Sequence, residues 1–164
     1  MVLFVGFFFR AYHAFTYEKP VAEIIIRPVD EPETSQITLI QFSEDDSEIS
    51  RQFLITGDQW MLEGDILKWN NWLNFLGLHT RYRLTRLRGR YIQTEAENQK
   101  SRTIYPLVEN ENHPYWRYLY HYGYKFPLVN TVYGSAAFQA SGKENRFLVF
   151  VSTSGFVIRK KDEN

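Results

Sequence analysis

A chain of 164 residues is long enough for one domain with a buried core and too short for two of ordinary size. Its formal net charge of zero gives no global electrostatic pull toward nucleic acid or an anionic membrane, and 44% apolar content argues against disorder. The absence of cysteine excludes disulfides, thiolate metal sites and cysteine nucleophiles, while 17% aromatic residues favour strands and half-wet surfaces.

Met1 to Phe9 carry no polar side chain, and only Arg10, Tyr12 and His13 interrupt the run before Phe15. A bilayer span needs about 20 apolar residues, so the run falls short of one as it stands. A secretory leader would place basic residues ahead of its apolar part and small residues at a cleavage site, and neither is found. Two readings follow: a buried strand at the core edge, or the distal end of a transmembrane helix. The second is preferred. Residues 1–15 are then a membrane anchor, 16–20 a polar linker ending at Pro20, 21–159 one β-rich domain, and 160–164 a frayed charged tail.

Val21 to Arg27, bounded by Pro20 and Pro28, reads as a strand. Asp30 to Ser35 is a loop, and Gln36 to Phe42 alternates, with Ile37 and Leu39 on one face and Thr38, Ile40 and Phe42 on the other. The acidic stretch Ser43 to Glu48 lacks the glycine of a calcium loop and reads as a solvated connection. Ile49 to Ile55 is a strand that ends at Gly57-Asp58, a pair suited to a tight hairpin turn. Beyond it, Trp60, Leu62, Leu67 and Trp69 alternate around Gly64-Asp65, which is either a second turn or a bulge inside one long strand. Ile55 to Trp69 is the most structured stretch of the sequence.

Asn70 to Leu78 reads as a short helix capped by Asn70 or Asn71 and ended by Gly77. Arg81 to Arg90 holds five arginines in ten residues. Leu84 and Leu87 differ in phase, so a strand through this stretch needs a bulge near Thr85 or Arg86 to bury both. Arg81, Arg83, Arg86, Arg88 and Arg90 are candidates for an anion- or lipid-binding ridge, since arginine grips phosphate in a bidentate fashion. The plainer alternative is a strand edge guarded by charge. Tyr91 to Tyr105 is polar and loosely helical at best. Pro114 to Gly123 is a helix with proline in its first turn, either covering the core or laying Tyr115, Trp116 and Tyr118 at a membrane interface. Thr131 to Phe138, Arg146 to Val151 and Phe156 to Arg159 are closing strands.

No catalytic constellation emerges. Ser135 in Tyr133-Gly-Ser-Ala136 lacks the second glycine of a nucleophile elbow, and His13, His79, His113 and His121 are scattered. Glu109, Glu111 and His113 would share a face if extended, but they fall in a loop that offers no fixed second shell for a metal. No cofactor is expected. The fold class expected is α+β, a predominantly antiparallel β-sheet domain with two short helices, preceded by the end of a transmembrane helix.

Several segments together carry a resemblance: Phe15-Thr-Tyr-Glu-Lys-Pro-Val-Ala22, Gly57-Asp-Gln-Trp60, Leu67-Lys-Trp69, Leu76-Gly-Leu78, Tyr82-Arg-Leu-Thr-Arg-Leu87, Gly89-Arg-Tyr91 and Tyr133-Gly-Ser-Ala136. In this combination the chain resembles a family of uncharacterised membrane-anchored proteins of gammaproteobacteria, often auto-named multidrug or cation efflux proteins. The resemblance implies hydrophobic membrane helices followed by a soluble domain; the chain departs from it in its short apolar segment and in Gly64. The function expected is a non-catalytic binding or accessory module in the envelope. It would be held at the bacterial inner membrane by its N-terminal segment, with the domain on the periplasmic side and an envelope protein or anionic lipid as partner rather than nucleic acid. Alternatives are a hydrolase drawing acids from distant loops and an accessory subunit of an efflux system.

Overall fold

The structure, a computed structural model, describes residues 18–161 except 44–46, 71, 74–75 and 110–112. Two antiparallel sheets pack face to face. The first runs β3-β2-β1-β8-β9, from β1 (Glu18–Pro28), β2 (Thr34–Phe42), β3 (Glu48–Thr56), β8 (Asn145–Ser152) and β9 (Gly155–Lys160). The second runs β6-β5-β4-β7, from β4 (Gln59–Trp69), β5 (Arg81–Arg90), β6 (Ile104–Pro106) and β7 (Val129–Ala140). Two short helices, α1 (Thr94–Gln99) and α2 (Pro114–Tyr122), complete the α+β arrangement, with a 3₁₀ turn at Gly123–Lys125.

The period-2 pattern of the strands explains the layering. Ile24 and Ile26 of β1, Ile37 and Leu39 of β2, and Val149 and Val151 of β8 point inward from the first sheet. They meet Trp60, Leu62 and Ile66 of β4 and Leu84 and Leu87 of β5. Trp60 is wholly buried, with its ring 5.8 Å from that of Phe147 across the sandwich. Each such side chain contributes about 1.5–3 kcal/mol on burial, so this layer outweighs the surface ion pairs, which contribute about 0–1 kcal/mol apiece.

Gly57-Asp58 is not a hairpin turn. The strands on either side lie in different sheets, so the pair turns a corner from β3 into β4. Gly57 sits at φ +145°, and Ser141 latches the corner by donating its hydroxyl to the Gly57 carbonyl at 2.8 Å. The expectation failed because a two-residue turn has the same sequence signature whether or not its strands stay paired.

Gly64-Asp65 belongs to one continuous strand, opposite a bulge. Glu63 pairs with Arg86 and Gly64 with Leu84, so Thr85 of β5 is the extra residue. A side chain at position 64 would have its Cβ 2.5 Å from the Arg83 carbonyl and 2.9 Å from the Phe156 ring, which accounts for the glycine.

Other boundaries also move. Residues 18–20, read as linker, are paired with Ser152, Val151 and Phe150, and Pro20, which has no N–H to give, stands at a register shift. At the other end Lys160 is in β9, and the Lys161 ammonium lies 3.1 Å from Glu23, so the tail is tied as far as residue 161. Of the helix expected over 70–78, Trp72 and Leu73 are helical and residues 71, 74 and 75 lie outside the described residues. The anchor expected over 1–15 lies outside them as well. Among the described residues no helix is long and apolar enough to cross a membrane.

Side chains close both flanks of the sandwich. On one, the Thr56 N–H donates to Thr103 Oγ1 at 3.0 Å and the Tyr105 hydroxyl donates to the Leu54 carbonyl at 2.9 Å. On the other, the Phe156 N–H donates to Ser135 Oγ at 3.1 Å, which gives that serine a structural task.

Candidate functional site

The bulge at Thr85 decides where the arginines go. Before it, Arg81 and Arg83 alternate with inward Leu84; after it, Arg86, Arg88 and Arg90 alternate with inward Leu87 and Gly89. Without the extra residue the two groups would lie on opposite faces. With it, all five lie on the outer face of the second sheet.

The ridge is not a bare row of charge. Arg83 is held by Asp65, with contacts of 2.5 and 3.1 Å from Nη2 and Nε to Oδ2. Glu63 takes Arg86 Nε at 2.8 Å and Arg88 Nε at 2.9 Å, so one carboxylate serves two guanidiniums. Arg90 lies over the Phe138 ring, 4.6 Å from its centroid. Arg81, at the start of β5, is exposed and forms no ion pair with a described residue. The nearest acids come from β4, whose outward Glu63 and Asp65 stand opposite the arginines in register, and Glu97 of α1 adds a longer contact to Arg88 at 3.9 Å. Cross-strand pairing therefore neutralises part of the ridge.

Helix α2 covers one end of this face. Its N-terminus is capped by His113, whose Nδ1 accepts from the Tyr115 N–H at 3.3 Å. The 3–4 spacing turns Trp116 and Leu119 down onto Leu67, Val129 and Val132. Trp116, expected at a membrane interface, is half-buried against the sheet and stacks with Arg83 at 5.4 Å. Tyr115 and Tyr118 do face outward. Tyr118, Tyr122 and Phe126 form a run of ring contacts at 5.0 and 6.0 Å.

Tyr120 also reaches the sheet, donating its hydroxyl to Asp65 Oδ1 at 2.8 Å. Burial, then the bond to the Asp65 carboxylate, push the phenol well above its ordinary range, so it stays a donor. Asp65 is thus gripped from two sides. The space between α2 and β5 is a cleft of about 330 Å³ bounded by Thr85, Arg86, Trp116, Arg117 and His121 as well as by these three residues. A hydrolase of the kind considered needs two carboxyls in one pocket; this cleft has Asp65 alone, committed to Arg83 and Tyr120. Among the described residues no group of three acids and histidines is placed to hold a metal, and Glu111 of the Glu109–His113 set lies outside them.

Sequence reasoning missed that Arg117 and His121 of α2 face the arginine strand, and that the bulged Thr85 lines the cleft between them. The signal for Arg117 and His121 was their i, i+4 spacing, which puts them on one side of α2.

A second feature is the end of the sandwich where β4 stops and β5 begins. Trp72, Leu76, Tyr122, Tyr124, Phe126 and Leu128 are all exposed, Tyr124 to 77%. Two bonds bring their segments together: the Asn70 N–H donates to the Leu128 carbonyl at 3.0 Å, and the Asn70 side-chain amide to that of Pro127. The first sheet presents Glu18, Phe42 and Ser152 toward this end, as shown by the Tyr82 hydroxyl of β5, which donates to the Phe42 carbonyl at 3.4 Å. The opposite end carries Asp30, Glu31, Glu33, Lys143 and Glu144. Compared with protein-family models, with curated proteins and with solved structures, the chain gives no match.

Proposed function

We propose that the chain is a membrane-anchored, non-catalytic binding module of the bacterial envelope, held through residues 1–15 and resting on the bilayer by its aromatic end. One observation carries the reading: β1 starts at Glu18 on the same end of the sandwich that exposes Trp72, Tyr122, Tyr124, Phe126 and Leu128. The apolar stretch Met1 to Phe9 ends nine residues before Glu18 in the sequence, and the end at which β1 begins is the one that exposes these aromatic side chains. Tyrosine and tryptophan have a wet edge and an apolar body, and they settle at the headgroup level of bilayers. Lys125, 5.1 Å above the Tyr122 ring, adds a cation that extends toward lipid phosphate while its stem covers apolar surface.

The test is depth-dependent fluorescence quenching by brominated lipids, using the full chain in vesicles. Of the four tryptophans, Trp60 is sealed in the core, Trp116 faces the sheet and Trp69 is half-buried with its indole N–H donated to the His79 carbonyl, so Trp72, exposed to 55%, should account for most of the quenching. Trp72→Phe should remove most of it, leaving the weaker quenching of Trp69, and Tyr124→Ser with Phe126→Ser should reduce it. Quenching that is absent, or that ignores position 72, would contradict the placement.

A further inference from the structure

We infer that the cleft between α2 and the bulge of β5 is a binding site for a phosphate monoester, with Arg86 and Arg117 as its anion ligands and Thr85 as a hydroxyl donor. Three observations carry this. The first is charge. The cleft brings Arg83, Arg86 and Arg117 together against the single acid Asp65. Arg83 is already satisfied by Asp65, which leaves the other two. Arg86 is ion-paired through Nε to a carboxylate that also faces Arg88, and Arg117 meets no acid within ion-pair distance among the described residues. The pair therefore has unspent positive charge, on opposite walls of one cleft.

The second is donor geometry. Guanidinium groups supply fork-like pairs of N–H donors, which match a phosphate with three terminal oxygens better than a carboxylate with two. Thr85 is the unpaired residue of the bulge. Its carbonyl accepts from the Leu107 N–H at 2.9 Å, while its side chain lines the cleft, where the hydroxyl forms no bond to a described residue. Tyr120 could compete for this role, but its hydroxyl is committed to Asp65.

The third is shape. Trp116, packed on Leu67 and Leu119 and carrying the Arg83 guanidinium over its ring at 5.4 Å, lines the cleft with the part of the indole that stays uncovered, an apolar surface for the organic part of an ester. At about 330 Å³ the cleft holds a phosphate with a small organic group. His121 borders it, with Nδ1 2.9 Å from the Arg117 carbonyl, which leaves the other ring nitrogen for the ligand. The site does not depend on the membrane placement above: it would take a phosphate whichever surface the domain lies on.

The ligand could be a soluble ester or the headgroup of an anionic lipid, and the experiment separates them. The full chain in neutral detergent is titrated with inorganic phosphate and with glycerol 3-phosphate, following calorimetric heat and the part of the tryptophan fluorescence change that Trp116→Phe removes. It is then titrated with vesicles of phosphatidylcholine containing phosphatidic acid. Saturable binding of glycerol 3-phosphate is expected, weakened at least tenfold in Arg86→Gln with Arg117→Gln. Arg81→Gln, which changes an arginine of the same strand outside the cleft, should change it less than twofold. Tighter binding to phosphatidic acid vesicles than to the free ester would assign the phosphate to a lipid; the reverse would assign it to a soluble ester. No binding of any of these probes would overturn the inference, as would equal weakening by Arg81→Gln, which would mean diffuse attraction to the strand. A melting temperature for each variant within a few degrees of the parent keeps loss of folding apart from loss of the site.

Discussion

The Tyr120 hydroxyl of α2 and the Asp65 carboxylate of β4 meet at 2.8 Å, 55 residues apart in the chain. This bond, with Arg83 on the other oxygen, fixes how the helix lies on the sheet and so fixes the wall of the cleft. Tyr120→Phe keeps the ring and removes the bond. It should cost about 1 kcal/mol in urea unfolding, the low side for a bond to a charged acceptor, because the ring is partly exposed. A change below 0.3 kcal/mol would mean that α2 is held by Trp116 and Leu119 alone.

The same bond has a pH signature. The folded-state pKa of Tyr120 is raised from an ordinary value of 10.0, first by burial and then by Asp65. Its contribution to stability is complete below pH 10, where both folded and unfolded chains keep the proton. Above that the unfolded chain ionises first, and stability falls as pH rises. Tyr91 and Tyr133 are shifted upward by burial as well and contribute in the same direction. Thermal melts between pH 9 and 11 should show the decline, with a shallower slope in Tyr120→Phe. An identical slope in the variant would show that other groups drive it.

Arg83 and Asp65 are mostly buried, at 16% and 14% side-chain exposure. Removing one partner leaves the other charge poorly solvated, so Arg83→Gln should cost about 2 kcal/mol. In a double-mutant cycle with Asp65→Asn the two losses should be less than additive by about 1 kcal/mol. Strict additivity would show that the ion pair has no worth of its own.

Gly89 marks the place where β5 passes beneath the end of β3. A Cβ there would lie 1.9 Å from the Thr56 carbonyl oxygen, a backbone atom that cannot move aside. Gly89→Ala should cost more than about 3 kcal/mol or abolish folding, while Gly142→Ala, which meets nothing within 4 Å, should stay within about 0.5 kcal/mol of the parent. Comparable melting temperatures for the two variants would disprove the close crossing.

Trp60 is fully buried, and its indole N–H has no hydrogen-bond partner among the described residues. Phenylalanine removes that orphan donor together with part of the packing volume, and the two effects oppose each other. Trp60→Phe is therefore expected to cost about 1–2 kcal/mol, against about 3–5 kcal/mol for Trp60→Ala. Chemical denaturation of the two variants decides it, and equal costs would show that volume alone matters.

Where local chemistry decides the structure, the sequence was readable. The phase slip between Leu84 and Leu87 pointed to a bulge near Thr85 or Arg86, which strand pairing puts at Thr85, and Pro114 located the start of α2. What could not be read depends on contacts distant in the chain. Nothing local says that β1 takes β8 as its second neighbour, or that β4 lies between β5 and β7. Nothing local tells a corner at Gly57 from a hairpin. The arginines could be seen as a group, but Glu63 and Asp65, which neutralise part of their charge, are assigned to them only by strand pairing. Arg117 was indistinguishable from any solvated arginine until α2 was laid across the sheet.

The hydroxyl contacts along the flanks have a consequence for behaviour at high concentration. A nine-strand sandwich has free strand edges, and an unpaired N–H or carbonyl there can recruit a second chain into a growing sheet. Here Thr103 occupies the N–H of Thr56, Tyr105 the carbonyl of Leu54, and Ser135 the N–H of Phe156. Both edges of the first sheet, β3 and β9, are thus blunted by side chains from the second sheet and the residue that leads into it, so the molecule uses its own tyrosine, threonine and serine to resist edge-to-edge aggregation there.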